Sequence, residues 1–354
     1  MIILGIETSC DETSAALVEE TGDAARPWRI RSNVVASQVE IHREWGGVVP
    51  ELSARQHVRD ICGVVERAIA DGGSPAIDAV AVTHGPGLVG SLLVGLSFAK
   101  AFAWARGVPV VPVHHLAGHI ESLVLEGGEM PLPAIVLVVS GGHTSLYRIV
   151  ATGSYELLGR TRDDAAGEAY DKVAKLLHLG YPGGPVVDRL ARGGNDRAVP
   201  FPKLRLTHAD RNAPHLPGNR DFSFSGLKTS VLRHVAARHA ELGLAAAEPL
   251  PPQETADICA SFQRVVVATL LERLFDAARA YGAASVGIAG GVSANSRLRE
   301  DAVARGQSSG IPVFVPGLAL STDNAAMIAA AGLRRFRQGP DLPLEINAEA
   351  SLAL

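Results

Sequence analysis

His115 and His119 stand four positions apart, with Leu116, Ala117 and Gly118 between them. If that stretch is helical, both imidazoles project from one face, at the spacing of two metal ligands. An isolated pair of this kind is commonly just two surface histidines. Asp323 changes the balance, because it occupies the corresponding place in the second half of an internal repeat, and facing halves would bring the three side chains together. Two histidines and one carboxylate with open positions suit iron(II) or zinc. His114 would point to another face and is left out of the ligand set. The intervening residues lack the glutamate of His-Glu-x-x-His, so the general base of a zinc protease is missing from its place.

Turns rich in small and polar residues follow apolar runs at Thr8 to Thr13, His84 to Ser91, Ser140 to Thr144 and Gly290 to Asn295. Glycine lets backbone N–H groups approach an anion, and a helix start adds a favourable dipole, so these turns are natural phosphate cradles. Their recurrence at related positions predicts a nucleotide in a cleft between two lobes. No Walker loop occurs, and no turn fits the dinucleotide fingerprint, which needs its glycine spacing and a distal acid together. Asp171, Gly184, Asp188 and Asn295 are candidates to contact the nucleoside, since a ribose diol needs carboxylate or amide acceptors in a tight backbone setting. Each one singly could be a cap or turn residue. Asp11 and Glu12 could serve as general base or orient a substrate amine, with turn capping as the competing role.

These residues need a frame, and the pattern of apolar runs supplies one. Ile2 to Thr8 and Ser14 to Val18 are predicted strands joined by a polar turn, and Ile135 to Val139 and Leu146 to Val150 repeat that plan. Later in each half, a strand (Asp78 to Thr83; Ala284 to Ala289) leads through a glycine loop into a helix (Ser91 to Arg106; Ser296 to Arg305). A further strand follows (Val108 to Val113; Pro312 to Val315). So long a repeat implies duplicated domains, placed at 1–130 and 131–354, in an α/β protein. Helices are expected at Glu51 to Ala70, Ala165 to Leu177 and Thr255 to Tyr281. Gly180 to Asp221, rich in Pro, Gly and Arg, reads as a loop-heavy surface excursion.

Bulk properties fit this frame. A chain of 354 residues exceeds the usual single-core limit, and 47% hydrophobic with 20% charged residues is ordinary globular composition. No apolar run has the length of a membrane span or the layout of a signal peptide, so no membrane is expected and the expected location is cytoplasmic. Cys10, Cys62 and Cys259 are odd in number and widely spaced, which argues against a disulfide framework and a thiolate zinc site. Net charge is −4, yet Lys172 to His234 holds 11 Lys and Arg against 4 Asp. That local excess, with Lys203, Arg205 and Arg211 near its centre, can meet a phosphate backbone.

The motifs together resemble the TsaD family. They are Ile6 to Thr13, Gly46 to Glu51, His114 to His119, Val138 to Thr144, Asp163 to Lys172, Tyr181 to Pro185, Phe222 to Thr229, Gly290 to Asn295 and Ser321 to Ala326. The resemblance implies the duplicated, two-lobed actin/Hsp70/sugar-kinase-like (ASKHA) α/β fold with its interlobe cleft. It implies transfer of threonylcarbamoyl from threonylcarbamoyl-AMP to N6 of the adenosine beside the anticodon, in tRNAs reading codons that begin with A. The implied metal ligands are His115, His119 and Asp323, with Fe(2+) preferred over Zn(2+). Val138, Val139, Ser140, Gly141, Gly142, Asp171, Gly184, Asp188 and Asn295 match the family's substrate and nucleotide contacts, where ATP or ADP can also sit. The opening motif resembles the bacterial branch, which implies a same-fold TsaB-like partner without the metal site and a small TsaE-like P-loop ATPase. His234 to Pro252 is longer than the family pattern and reads as a surface insertion. The rival readings are a metal-dependent glycoprotein endopeptidase and a small-molecule kinase or ATPase of the same fold.

Overall fold

The computed structural model describes residues 1–203, 220–339 and 345–354. Two compact units divide the chain, one made of Met1–Met130 with Phe314–Leu354 and the other of Pro131–Val313. The first holds a five-stranded sheet of β1 (Ile2–Glu7), β2 (Glu12–Glu20), β3 (Trp28–Ser37), β4 (Ala79–Gly85) and β5 (Val110–His114), in the order β3-β2-β1-β4-β5. The second sheet has β6 (Ala134–Val139), β7 (Thr144–Ile149), β8 (Glu156–Arg160), β9 (Ser285–Ala289) and β10 (Val313–Phe314), in the order β10-β9-β6-β7-β8. Relabelled from its own first strand, the second order is the first one again. In both sheets the opening strands pair antiparallel, β1 with β2 and β6 with β7, and the first strand pairs parallel with the fourth. The repeat read from the residues is therefore a repeat of topology.

The strands are apolar on both faces because both faces are covered. On β1, Ile3 packs with Ala79, Ala81 and the helix Ala325–Arg337. Its alternate residues Leu4 and Ile6 pack with Ile61, Val65 and Leu96 from the helices Pro50–Asp71 and Val89–Arg106. The period of two along the strand thus sorts side chains between two separate helical layers.

Residues 314–354 correct the expected boundary, since they belong with residues 1–130. The reason is packing. Residues Ala325 to Leu333 are all buried, so this helix must lie on an apolar surface, and it lies on the first sheet. A Cβ on Gly5 would sit 2.3 Å from Ala325 O and 2.8 Å from Ala329 N, so strand and helix backbones touch where only glycine fits. The helix is anchored at its far end too. Arg334 pairs with Glu121 (2.5 Å) and Glu129 (2.8 Å), and Trp28 Nε1 donates to Glu121 Oε2 (3.1 Å). Glu121 belongs to the helix His115–Gly127, so the pair joins the two helices directly.

Other expectations change in detail. The excursion Gly180 to Asp221 contains a helix, Gly183–Ala191, whose Gly183 N–H donates to Asp171 Oδ1 (2.7 Å). The first part of the expected insertion His234 to Pro252 continues the helix Ser225–Leu242, which ends where Gly243 turns to φ +67°. Of the basic residues singled out, Lys203 pairs with Glu272, while Arg205 and Arg211 lie outside the described residues. Among the described residues, no helix is long and apolar enough to cross a membrane. Replacing Arg334 with Met should leave the Glu121 carboxylate buried without its counter-ion. Denaturant unfolding is expected to show a loss of about 3 kcal/mol, against less than about 1 kcal/mol for Arg29→Met on the exposed Arg29–Glu19 pair.

Candidate functional site

β5 ends at His114, and the chain turns at once into the helix His115–Gly127. His114 caps it, its Nδ1 accepting from Leu116 N (3.1 Å), while its Nε2 faces Leu352 O (3.2 Å). On the first turn of this helix the rings of His115 and His119 stand 4.7 Å apart, nearly edge to face. Asp323 lies just before the helix Ala325–Arg337, whose N-cap Asn324 accepts from Met327 N (3.1 Å). Asp323 Oδ1 is 3.5 Å from His115 Nε2 and 3.2 Å from His119 Nε2. One ligand-type atom from each residue falls within 4.8 Å of the others. The three side chains meet, but by a different route from the one the repeat suggested. All belong to the same unit, and the returning helix delivers Asp323.

The surroundings fit a cation. His119 has no exposure, and among the described residues neither of its ring nitrogens has a hydrogen-bond partner, so Nε2 lacks what a metal ion would supply. His115 Nδ1 faces Glu7 Oε2 (3.0 Å) and Ser9 Oγ (3.2 Å). A carboxylate only accepts, so Nδ1 carries a hydrogen toward Glu7, and Nε2, on the side of Asp323, is the nitrogen that would bind a metal on losing its proton. Glu7 is itself buried and held, accepting from Ser9 N (2.5 Å) and Thr83 Oγ1 (2.7 Å). Burial opposes charging the His115 ring, but Asp323 and Glu7 outweigh it and raise its pKa to about 9. Burial likewise pushes the Glu7 carboxyl up, while His115 and the Thr83 hydroxyl bring it below the usual carboxylate range. A site that favours positive charge this strongly, with a carboxylate behind one imidazole, has the donor set and outer support of a divalent metal centre.

Asp11 and Glu12 sit beside this centre, on the turn from β1 into β2. Burial, then Asp323 and Asp11, push the Glu12 carboxyl well above its ordinary range, which makes it a poor base and a better proton donor. Burial and the same acids push the Cys10 thiol up as well, so it offers no thiolate. The turn is fixed by a residue the sequence reading did not single out. His57, fully buried, places Nε2 on Cys10 O (3.0 Å) and Nδ1 on Thr13 Oγ1 (2.8 Å). Glu7 was missed in the same way. Its signal was a lone charge closing an otherwise apolar strand.

The proposed nucleotide contacts all fall in the second unit. Val138 and Val139 are core side chains of β6, so only their backbone is available to a ligand. Ser140 to His143 form the turn into β7, closed by Ser140 N to His143 O (2.8 Å). Gly141 and Gly142 are exposed, and a Cβ on either would meet nothing within 4 Å. Asp171 anchors the helix Gly183–Ala191, and Gly184 opens onto free space at that helix's start. Asp188 accepts from Ser296 Oγ (2.8 Å) and Gln263 Nε2 (3.2 Å). Asn295 caps the helix Ser296–Ser309 through Leu298 N (3.0 Å) and donates to Gln263 Oε1 (2.7 Å). Gln263 is a further residue missed from the sequence, where it lies unmarked inside a long helix.

Two measurements test the metal centre. Asp323→Ala should give folded protein with little bound metal by elemental analysis, since two imidazoles seldom retain a divalent transition ion. Glu7→Gln keeps all three ligands but weakens the hydrogen bond behind His115. Chelator competition should show metal affinity lower by about 10- to 100-fold, and unchanged affinity would remove Glu7 from the centre.

Solved structures share this fold at low identity. HypF from T. kodakarensis matches with a TM-score of 0.59 at 15% identity, covering 96% of this chain and 48% of that one. Component A of the (R)-2-hydroxyglutaryl-CoA dehydratase of Acidaminococcus fermentans matches with 0.50 at 15% identity, covering 96% and 100%. These likenesses carry the fold alone, the α/β fold of actin, Hsp70 and the sugar kinases. At the level of sequence, the family model TsaD, tRNA N6-adenosine threonylcarbamoyltransferase, matches residues 29–330. Proteins named tRNA N6-adenosine threonylcarbamoyltransferase are similar along their whole length. That of Anaeromyxobacter dehalogenans is 51% identical over 96% of this chain and 97% of its own. Those of Symbiobacterium thermophilum and Koribacter versatilis are 50% and 47% identical, over 100% of this chain and 97% and 99% of theirs. With identity of this order across both units, the chain belongs to the TsaD family of tRNA N6-adenosine threonylcarbamoyltransferases.

Proposed function

We propose that this protein transfers the threonylcarbamoyl group of threonylcarbamoyl-AMP to N6 of the adenosine next to the anticodon, in tRNAs that read codons beginning with A. The observation that carries the reading is the buried His115, His119 and Asp323 cluster, backed by Glu7, in a member of this family. In the reaction the N6–carbamoyl bond forms, the bond from the carbamoyl carbon to the phosphate oxygen breaks, and AMP departs with the electron pair. A metal ion held by the three ligands, Fe(2+) in preference to Zn(2+), supplies Lewis-acid polarisation of the carbamoyl oxygen when bound.

The chain's own residues do the rest. The exposed amides at Gly141 and Gly142 take the phosphate of the donor, and Asp171, Gly184, Asp188 and Asn295 frame its nucleoside, with ATP or ADP able to occupy the same place. An exocyclic amine is a weak nucleophile, so orientation contributes more to the rate than base strength. Asp11 accepts the proton lost from N6, and Glu12, favoured in its protonated form by burial, stabilises charge on the departing oxygen. An adenosine in an anticodon loop is unstacked at modest cost, which suits a base that must be presented to a protein site. The proposed partners are a same-fold TsaB-like subunit without the metal ligands and a TsaE-like P-loop ATPase, and the proposed location is the cytoplasm. Glycoprotein cleavage is the weaker reading, since the helix between the two histidines offers Leu116, Ala117 and Gly118 and no carboxylate base.

Nucleoside analysis of tRNA from cells depleted of this protein is the deciding experiment. Threonylcarbamoyladenosine should disappear, return with the wild-type chain, and stay absent with Asp323→Ala; a normal level after depletion would end the proposal. For the nucleotide, Gly141→Val should raise the AMP dissociation constant by at least ~10-fold by blocking backbone approach. The new side chain has room in the free protein, so thermal stability should stay near that of the wild type.

A further inference from the structure

Gln263 is 3% exposed, on the helix Pro252–Ala280, and both ends of its amide are engaged. Nε2 donates to Asp188 Oδ1 (3.2 Å), 75 positions away, and Oε1 accepts from Asn295 Nδ2 (2.7 Å), 32 positions away. One side chain thus joins the helix Gly183–Ala191 to the N-terminus of the helix Ser296–Ser309, with Tyr170 of the helix Ala166–Leu176 beside it (Oη to Oε1, 3.5 Å).

The direction of every bond in this chain follows from one group. The Asp188 carboxylate can only accept, so the Gln263 amide must turn its NH2 toward it and its carbonyl toward Asn295. Asn295 must then present NH2 to Gln263, which leaves its Oδ1 to cap Leu298 N (3.0 Å) with one lone pair to spare. At Asp188, Oδ1 is committed inward to Gln263 and Ser296 Oγ. Among the described residues, Oδ2 is held by Ser296 N (3.3 Å) and by Arg192 (3.3 Å), whose side chain is 66% exposed. Such a surface pairing is readily exchanged. The two positions open to a ligand are therefore the one on Asp188 Oδ2 that Arg192 yields on exchange and the second lone pair of Asn295 Oδ1, both acceptors, as the hydroxyls of a ribose require.

We infer that Gln263 is a positioning residue of the nucleotide site, setting the rotamers of Asp188 and Asn295 so that two acceptors face the ribose, without itself touching the nucleotide. The inference rests on the nucleotide reading above and adds the side chain that makes its two acceptors act together. A methionine would fill nearly the same volume, so the amide contributes orientation rather than bulk. Removing it takes one partner from each side chain, leaving Asn295 Nδ2 with only the longer bond to Tyr170 Oη (3.4 Å) and Asp188 Oδ1 with Ser296 Oγ alone, so the two acceptors are held less firmly.

The test is a double-mutant cycle on the full-length protein, read by calorimetry with AMP as the probe. Gln263→Met should raise the AMP dissociation constant by about 10-fold, and Asn295→Ala by a similar factor. If Gln263 acts through Asn295 and Asp188, the double variant should bind little worse than either single one, because the second change removes an orientation already lost. Gln263→Glu, which keeps an acceptor for Asn295 but sets a carboxylate against Asp188, should also weaken binding and keeps the test valid if the Met variant folds poorly. Metal content should stay at the wild-type level in all of them, a readout that general loss of structure would move. Weakened binding in Asn295→Ala with wild-type binding in Gln263→Met and Gln263→Glu overturns this inference alone. Wild-type affinity in all the variants places the nucleotide elsewhere and overturns the nucleotide reading with it.

Discussion

Everything at the candidate metal centre depends on one backbone contact, that of the helix Ala325–Arg337 against β1 at Gly5. The helix face is built of small residues, Ala325, Ala326, Ala329 and Ala330, and the sheet beneath offers Ala79 and Ala81. Small surfaces approach closely, and a close approach fixes the height and azimuth of the helix much more tightly than a layer of long side chains would. Gly118 does the same against the neighbouring helix, where a Cβ would lie 2.7 Å from Ile328 Cδ1. Asp323 precedes this immobilised helix by a single capping residue, so its carboxylate inherits the placement. At the opposite end Arg334 fastens the helix to Glu121, on the helix that carries both histidines.

The second constraint is electrostatic. Glu7, Glu12 and Asp323 crowd a largely buried volume in which His115 is the counter-charge that acts on Glu7 most strongly. Buried carboxylates are tolerated when hydrogen-bonded and paired, and Glu7 meets that condition through Ser9, Thr83 and His115. Glu12 and Cys10 respond differently, by favouring their neutral forms. The result is a site with one imidazole oriented from behind, a second with unsatisfied nitrogens, and a single carboxylate facing both. That arrangement gathers one ligand-type atom from each of the three residues, as the proposed cation would need.

In the second unit the balance between rigid and open backbone is reversed. The Cβ positions of Gly141 and Gly142 stand clear of neighbours, whereas Gly290 is locked at φ +91° with its would-be Cβ 2.5 Å from Val139 O. The first two keep the turn accessible, and the third lets the strand end press against β6 so that the helix start at Asn295 is held in register. Asp188, Gln263 and Asn295 then supply a polar network with a single allowed hydrogen-bond direction. This pairing of open glycines with fixed acceptors is what the proposed nucleotide, with a charged phosphate and a neutral ribose, would require.

Much of this was legible in the residues themselves. Strands with alternating or continuous apolar runs, glycine turns after them and the His-x-x-x-His pair all rest on local periodicity, which a linear sequence records directly. The duplication was visible for the same reason, and so were the three residues of the candidate metal centre. What only the tertiary structure decided was who stands behind them and which unit owns them. β3 and β8 are half-exposed strands whose polar residues hide their period, and the helix Gly183–Ala191 begins among prolines and glycines that read as loop. Glu7, His57 and Gln263 carry no local signal, because their roles arise from partners tens to more than a hundred positions away. Asp323 was expected in the second lobe and lies in the first unit. Repeat symmetry relates positions along the chain, but the burial demand of an alanine-rich helix, satisfied on the sheet that offers a glycine at the crossing, determines where that helix packs.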